Sequence, residues 1–115
     1  VHKAGASVKL HICGNITHIL DLIVESGADI IDIDSIVDFK SGIDIFNGRC
    51  SACGNFDPVR ILYDGTPENV KNAVDYCLSV SDRYTFISPG CEVPKNTPYE
   101  NLKAIDDALN EYSMM

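Results

Sequence analysis

Basic residues are scarce in this sequence, and it contains no long apolar run. The 115 residues include 9 Lys and Arg against 17 Asp and Glu, which gives a formal net charge of −8. The basic residues stand singly, so they form no stripe that could follow a phosphate backbone or an anionic membrane surface. No apolar run approaches the ~20 residues that span a bilayer. The composition therefore argues against nucleic acid or a membrane as partner and predicts a globular, soluble domain.

The first residues also lack the long apolar core of a secretory signal. The 5 cysteines are odd in number and spread along the chain, whereas a disulfide scaffold concentrates an even number in short loops. Reduced thiols or metal ligands are therefore expected, and a cytoplasmic location fits best.

Four short β-rich runs alternate with four helical patterns. The strands are predicted at residues 7–12, 28–34, 50–55 and 83–88. One helix is predicted within residues 15–27 and a second within residues 36–48. The other two are expected to begin alike, with Thr66 or Thr97 as the cap and a proline next. Their inward-facing residues are predicted to be Val70, Ala73, Val74, Cys77 and Leu78 in the third helix, and Leu102, Ile105, Ala108 and Leu109 in the fourth.

This alternation predicts an α/β fold with parallel strands and right-handed crossovers, either a small doubly wound sheet or part of a (β/α)₈ barrel. A complete barrel takes ~250 residues, so four successive βα units amount to half of one. Residues 1–115 are accordingly interpreted as a half-barrel fragment. Half a barrel exposes two sheet edges, so we expect it to pair with a second copy or with the missing half, and to be inactive alone.

Three side chains are candidate metal ligands. His11 and Cys13 stand two positions apart on the first predicted strand, so both point to one face near its C-terminal end. Cys91 follows the fourth strand, and the loops after parallel strands emerge at one edge of the sheet. One His and two thiolates would bind zinc tetrahedrally and leave a fourth position open, as in catalytic sites. The alternative is a structural strand histidine with two small buried cysteines.

Other polar residues lie near the same edge. Asp32 and Asp34 alternate with isoleucines at the end of the second strand, and Asp34, closer to the edge, is the predicted functional carboxylate. Asn55 ends the third predicted strand and can present its amide to a ligand. The alternative for both Asp34 and Asn55 is a structural role in the following turns. Cys50 and Cys53 form a C-x-x-C, but a spacing of three on a strand points them to opposite faces, which argues against a redox or zinc-ribbon pair.

Taken in order, several short motifs together resemble the uroporphyrinogen decarboxylase superfamily, specifically its cobalamin-dependent methyltransferases that methylate a thiol such as coenzyme M. The motifs are His11-Ile12-Cys13-Gly14, GADIIDID at residues 27–34, residues 54–58 and 65–68, Ser88-Pro89-Gly90-Cys91, and residues 97–102.

The resemblance implies that the chain is the C-terminal half of a (β/α)₈ barrel, its fifth to eighth units. It also implies zinc held by His11, Cys13 and Cys91, a thiol acceptor, and a methylated corrinoid on a partner protein. In this scheme zinc lowers the pKa of the acceptor thiol, whose thiolate takes the methyl group. Asp34 and Asn55 would orient the zinc ligands or the acceptor.

Two other functions remain open at this point. A metal-free uroporphyrinogen decarboxylase would use carboxylates such as Asp34. In that branch, however, the last loop reads glycine-histidine-glycine, whereas this chain has Gly90-Cys91-Glu92, which favours the methyltransferase. The third possibility is a half-barrel that serves only as a structural module. The family pattern assigns no role to Cys50 or Cys53.

Overall fold

Four parallel strands pair in sequence order, β1-β2-β3-β4. In this computed structural model, which describes residues 1–114, β1 is Lys9–Ile12, β2 is Ile30–Ile33, β3 is Ser51–Phe56 and β4 is Phe86–Pro89. A helix follows each strand: α1 is Leu20–Val24, α2 is Phe39–Phe46, α3 is Pro67–Val80 and α4 is Tyr99–Ser113. The predicted fold class is confirmed: the chain is an α/β arrangement of four successive βα units.

The alternating directions of the side chains on β2 explain where the core lies. Ile31 and Ile33 are buried among the residues that the helices cover, whereas Asp32 between them points to the opposite face. On β1, Leu10 and Ile12 pack against the same core. The helices therefore cover one face of the sheet, and the polar residues of β1 and β2 line the other.

α3 forms as predicted. The Thr66 side chain accepts a hydrogen bond from the Asn69 backbone, and the Asn69 side chain returns one to the Thr66 N–H, which completes a capping box. Val70, Val74 and Cys77 are buried. Three residues of the predicted stripe are therefore buried, and the other two, Ala73 and Leu78, are half-buried against the same core.

The prediction for α4 was partly wrong. Thr97 does not cap the helix, because its hydroxyl donates to the Pro94 carbonyl (2.6 Å) and Pro98 occupies the N-cap position. Leu102 is 38% exposed, although Ala108 is buried as predicted. The buried side is shifted by one residue because α4 packs chiefly against α3 rather than directly on the sheet. Its fully buried positions are Asn101, Ala104 and Ala108.

The predictions missed a segment of π-helix, Pro58–Tyr63, between β3 and α3. The Asp57 carboxylate begins it by accepting hydrogen bonds from the N–H groups of Val59 and Arg60. Within residues 1–114, no helix combines the length and apolar character needed to cross a membrane.

Candidate metal centre

His11 and Cys13 lie on the face of the sheet that the helices leave uncovered, and both are exposed. Cys91 follows β4 after a single glycine, on the far side of the sheet in strand order. In a flat sheet, three strand spacings of ~4.8 Å would place β1 and β4 ~14 Å apart. The Sγ atoms of Cys13 and Cys91 are nevertheless only 3.7 Å apart. The sheet therefore curls, and the loop after β4 reaches back towards β1.

Gly90 permits this return. A Cβ at this position would lie 2.5 Å from the Ser35 backbone nitrogen and 3.1 Å from the Asn55 carbonyl oxygen. The Gly90 N–H also donates to the Phe56 carbonyl (2.8 Å). Because any larger residue would collide with backbone atoms, glycine lets the loop cross closely over the ends of β2 and β3 and carry Cys91 inward.

The three predicted side chains form one group whose ligand atoms all lie within 4.8 Å of one another. His11 Nε2 is 3.0 Å from Cys13 Sγ. Two thiolates bound tetrahedrally at ~2.3 Å from one zinc ion would have sulfurs ~3.8 Å apart, which is close to the 3.7 Å observed between Cys13 and Cys91. One imidazole and two thiolates are a donor set that zinc prefers. The sulfur–sulfur distance and the chemistry of the donors therefore fit a zinc ion.

The electrostatics of the two thiols, Cys13 and Cys91, also favour a cation between them. The hydrogen bond with Cys91 raises the pKa of the Cys13 thiol, and burial and the negative charges of Cys91, Asp34 and Asp32 raise it further. Two thiolates so close together repel each other unless a positive charge lies between them. A metal ion would remove this penalty because each sulfur would then face a cation.

Asp32, rather than Asp34, is the carboxylate beside the imidazole. The register of β1 and β2 puts His11 opposite Asp32, and His11 Nδ1 is 2.8 Å from Asp32 Oδ2. The sequence prediction favoured Asp34 because it lies nearer the sheet edge. Pairing the two strands in register would have pointed to Asp32, but the register cannot be read from either strand alone.

Asp34 and Asn55 make their hydrogen bonds to loops at this edge. Burial would raise the pKa of Asp34, but hydrogen bonds from Gly14, Ile36 and Ser35 outweigh it, so the pKa is lowered. The bond from Gly14 N–H to Asp34 Oδ2 is 2.9 Å and fixes the residue that follows Cys13. The Asn55 amide donates to the Val37 carbonyl (2.6 Å). Both side chains thus hold loops at this edge of the sheet, and neither belongs to the three-residue ligand group.

The sequence and the fold match known proteins over nearly the whole chain. Residues 1–112 match the family uroporphyrinogen decarboxylase (URO-D). The chain belongs to this family. A methylcobamide:CoM methyltransferase, MtbA of Methanosarcina acetivorans, is 38% identical over 103 residues, which cover 90% of this chain and 30% of that protein. The MtbA of Methanosarcina mazei is 33% identical over the same shares of the two chains.

A solved structure of a methyltransferase from Methanosarcina mazei superposes with a TM-score of 0.86 at 28% sequence identity. The superposition covers 94% of this chain and 32% of that one. The chain thus spans about a third of the length of the curated URO-D relatives that it matches.

The remaining cysteines of this URO-D chain lie outside the ligand group. Cys50 and Cys77 are buried, and burial raises the pKa of both thiols. Cys53 is also buried, with its Sγ 3.2 Å from Ser88 Oγ. Cys77 lies on the buried side of α3, as the helical spacing predicted. A role for Cys50 and Cys53 does not emerge from their contacts.

The ligand group opens into a cleft of about 550 Å³. Its lining includes both charged and apolar side chains: Lys9, His11, Cys13, Asp32, Ser88, Pro89, Cys91, Glu92 and Val93. Small-molecule sites typically measure ~300–1,000 Å³, so a small substrate can reach the ligand atoms. A second cavity of about 580 Å³ lies towards α3 and is lined by none of the three ligand residues.

Proposed function

We propose that this chain is the zinc-binding, C-terminal half of a (β/α)₈ methyltransferase that moves a methyl group from a corrinoid to a thiol. The observation that carries the proposal is the convergence of His11 Nε2, Cys13 Sγ and Cys91 Sγ within 4.8 Å beside an open cleft. The names of the relatives support it, since both are methylcobamide:CoM methyltransferases. The acceptor is accordingly a thiol such as coenzyme M, and the donor is a methylated corrinoid on a partner protein.

The chain would supply three ligands for a zinc ion, and the substrate would take the fourth position of a tetrahedral site. Zinc at this position would lower the pKa of the substrate thiol, so that a thiolate is available near neutral pH. In the transfer, the thiol proton passes to solvent and a sulfur–carbon bond forms as the carbon–cobalt bond breaks. The electron pair of the broken bond stays with the corrinoid.

The roles of the other polar residues follow from their contacts. Asp34 fixes the Gly14 N–H and so holds the turn that carries Cys13. The Asn55 amide donates to the Val37 carbonyl and so holds the loop after β2. Both side chains therefore brace loops at this edge of the sheet, and neither needs to touch the acceptor.

Metal content and methyl transfer, measured together on the complete protein, test the proposal. We expect about one zinc per chain, and transfer of methyl groups from methylcobalamin to coenzyme M. Cys91→Ala should lose most of the zinc and lower the rate by at least ~100-fold, because only two ligands remain. Elemental analysis and detection of the methylated thiol measure the two quantities.

Cys77→Ala is the matched control, since it removes a thiol that α3 buries away from the ligand group. It should retain zinc and activity even if it lowers stability. Full zinc occupancy in Cys91→Ala would rule out the ligand assignment. Turnover of uroporphyrinogen that survives chelation, without any transfer to the thiol, would favour the decarboxylase instead.

A further inference from the structure

The imidazole of His11 is held at both of its nitrogens. Asp32 Oδ2 lies 2.8 Å from Nδ1, and Cys13 Sγ lies 3.0 Å from Nε2. The first contact comes from the neighbouring strand, because the register of β1 and β2 places His11 opposite Asp32. The second comes from Cys13, the residue that directly follows β1. Asp32, which is not one of the three candidate ligands, therefore helps to fix the orientation of the ring.

The contact with Asp32 also decides which nitrogen carries the proton. An ionised carboxylate can only accept a hydrogen bond, so Nδ1 of His11 must be the donor. In a neutral imidazole the other nitrogen, Nε2, then has a free lone pair. That lone pair points towards Cys13, where a metal ion would bind.

The surroundings of Asp32 indicate that a contribution to fold stability does not by itself explain an aspartate at this position. Its side chain is only 14% exposed. Its second oxygen, Oδ1, is buried and has no hydrogen-bond partner among residues 1–114, and such an atom destabilises a fold. The Lys9 ammonium is 3.9 Å from Oδ2 and half exposed, so it compensates little.

We infer that Asp32 is a positioning residue that holds His11 in the Nδ1–H tautomer and aims Nε2 at the metal. The inference rests on the proposed zinc-dependent function and adds a residue to it. Carboxylate partners of histidine ligands typically raise metal affinity ~10–100-fold, because they fix the ring and make it a better donor.

Zinc affinity provides the first test. In the complete protein, competition with a coloured chelator should show zinc bound ~10–100-fold more weakly by Asp32→Ala than by the wild type. Asp29→Asn is the matched control, since Asp29 Oδ2 contacts His2 Nε2 at 2.7 Å in a similar pair far from the cysteines in sequence. This control should bind zinc as tightly as the wild type.

The tautomer of His11 provides a second readout, which needs neither activity nor a variant that folds. In zinc-free wild-type protein, at a pH where the ring is neutral, ¹⁵N NMR of the ring nitrogens should show the proton on Nδ1. A proton on Nε2, or equal zinc affinities for Asp32→Ala and the wild type, would overturn the inference. A wild type that binds no zinc would instead refute the proposed function, so the two failures can be told apart.

Discussion

At the scale of single residues, Asn101 links two segments that are distant in sequence. Its side chain is 1% exposed, and its amide donates to the carbonyls of Leu62 (2.8 Å) and Gly65 (2.9 Å). These carbonyls lie at and just beyond the end of the π-helix, where backbone acceptors have lost their helical partners. Asn101 therefore fastens α4 to the loop that leads into α3.

Replacing Asn101 with Leu should lower the free energy of unfolding by about 2 kcal/mol, because two carbonyls lose their donor in a buried setting. Urea denaturation of the complete protein measures this loss. Asn110→Ala serves as the control, because Asn110 is exposed and its side-chain amide donates to Asp106 one turn earlier in the same helix. A loss of less than about 0.5 kcal/mol for Asn101→Leu, the range of ordinary surface changes, would contradict the assigned role.

At the scale of elements, Asp38 begins α2. Its Oδ2 accepts hydrogen bonds from the Ser41 hydroxyl (2.7 Å) and the Ser41 N–H (3.0 Å). These two bonds, the side-chain bond foremost, lower the pKa of Asp38. The ionised form is therefore favoured in the folded state. The ionised carboxylate stabilises the fold above the ordinary carboxyl pKa of about 3.9. This stabilisation is lost as the pH falls through the lower pKa that Asp38 has in the folded state.

Asp38→Ala should consequently cost about 1 kcal/mol of stability at neutral pH, the usual cost of losing an N-cap. The difference from the wild type should shrink as the pH falls below about 3.9, because the wild-type carboxylate then takes up its proton. Denaturation curves recorded at several pH values measure this difference. Asp44→Ala removes an exposed partner of Lys40 in the same helix and should cost much less. A cost for Asp38→Ala that stays constant down to acid pH would refute the capping explanation.

At the scale of the whole molecule, the sheet has two outer strands. Within residues 1–114, β1 and β4 each pair on one side only, and Phe86 of β4 is 51% exposed. Unpaired strand edges and an uncovered sheet face favour association with another chain. The half-barrel interpretation gives this association a specific form, since the missing strands of the barrel would pair with both edges.

We expect residues 1–115 to self-associate or to bind the remaining half of the barrel. Sedimentation velocity over a range of concentrations should show dimers or larger species. Phe86→Ser should shift the distribution towards the monomer, since it reduces the exposed apolar surface of an outer strand. A monomer at every concentration, alone and when mixed with the other half, would contradict the expectation.

The amino-acid sequence alone determined those features that follow from local periodicity. A period of two predicted that His11 on β1 and Cys13 just after it lie on one face, and a helical period with a Thr-Pro start predicted the buried side of α3. Where local signals were misleading, as with Thr97 in α4, the prediction was wrong, because the helix packs on α3 and its threonine bonds elsewhere.

Only the tertiary structure decided which residues from different strands meet. The pairing of His11 with Asp32 depends on the register of β1 and β2. The 3.7 Å approach of Cys91 to Cys13 depends on the curl of the sheet and on the space beside Gly90. The physical reason is that periodicity fixes the direction of a side chain within its own element, whereas packing between elements fixes the distances from which a metal site is built.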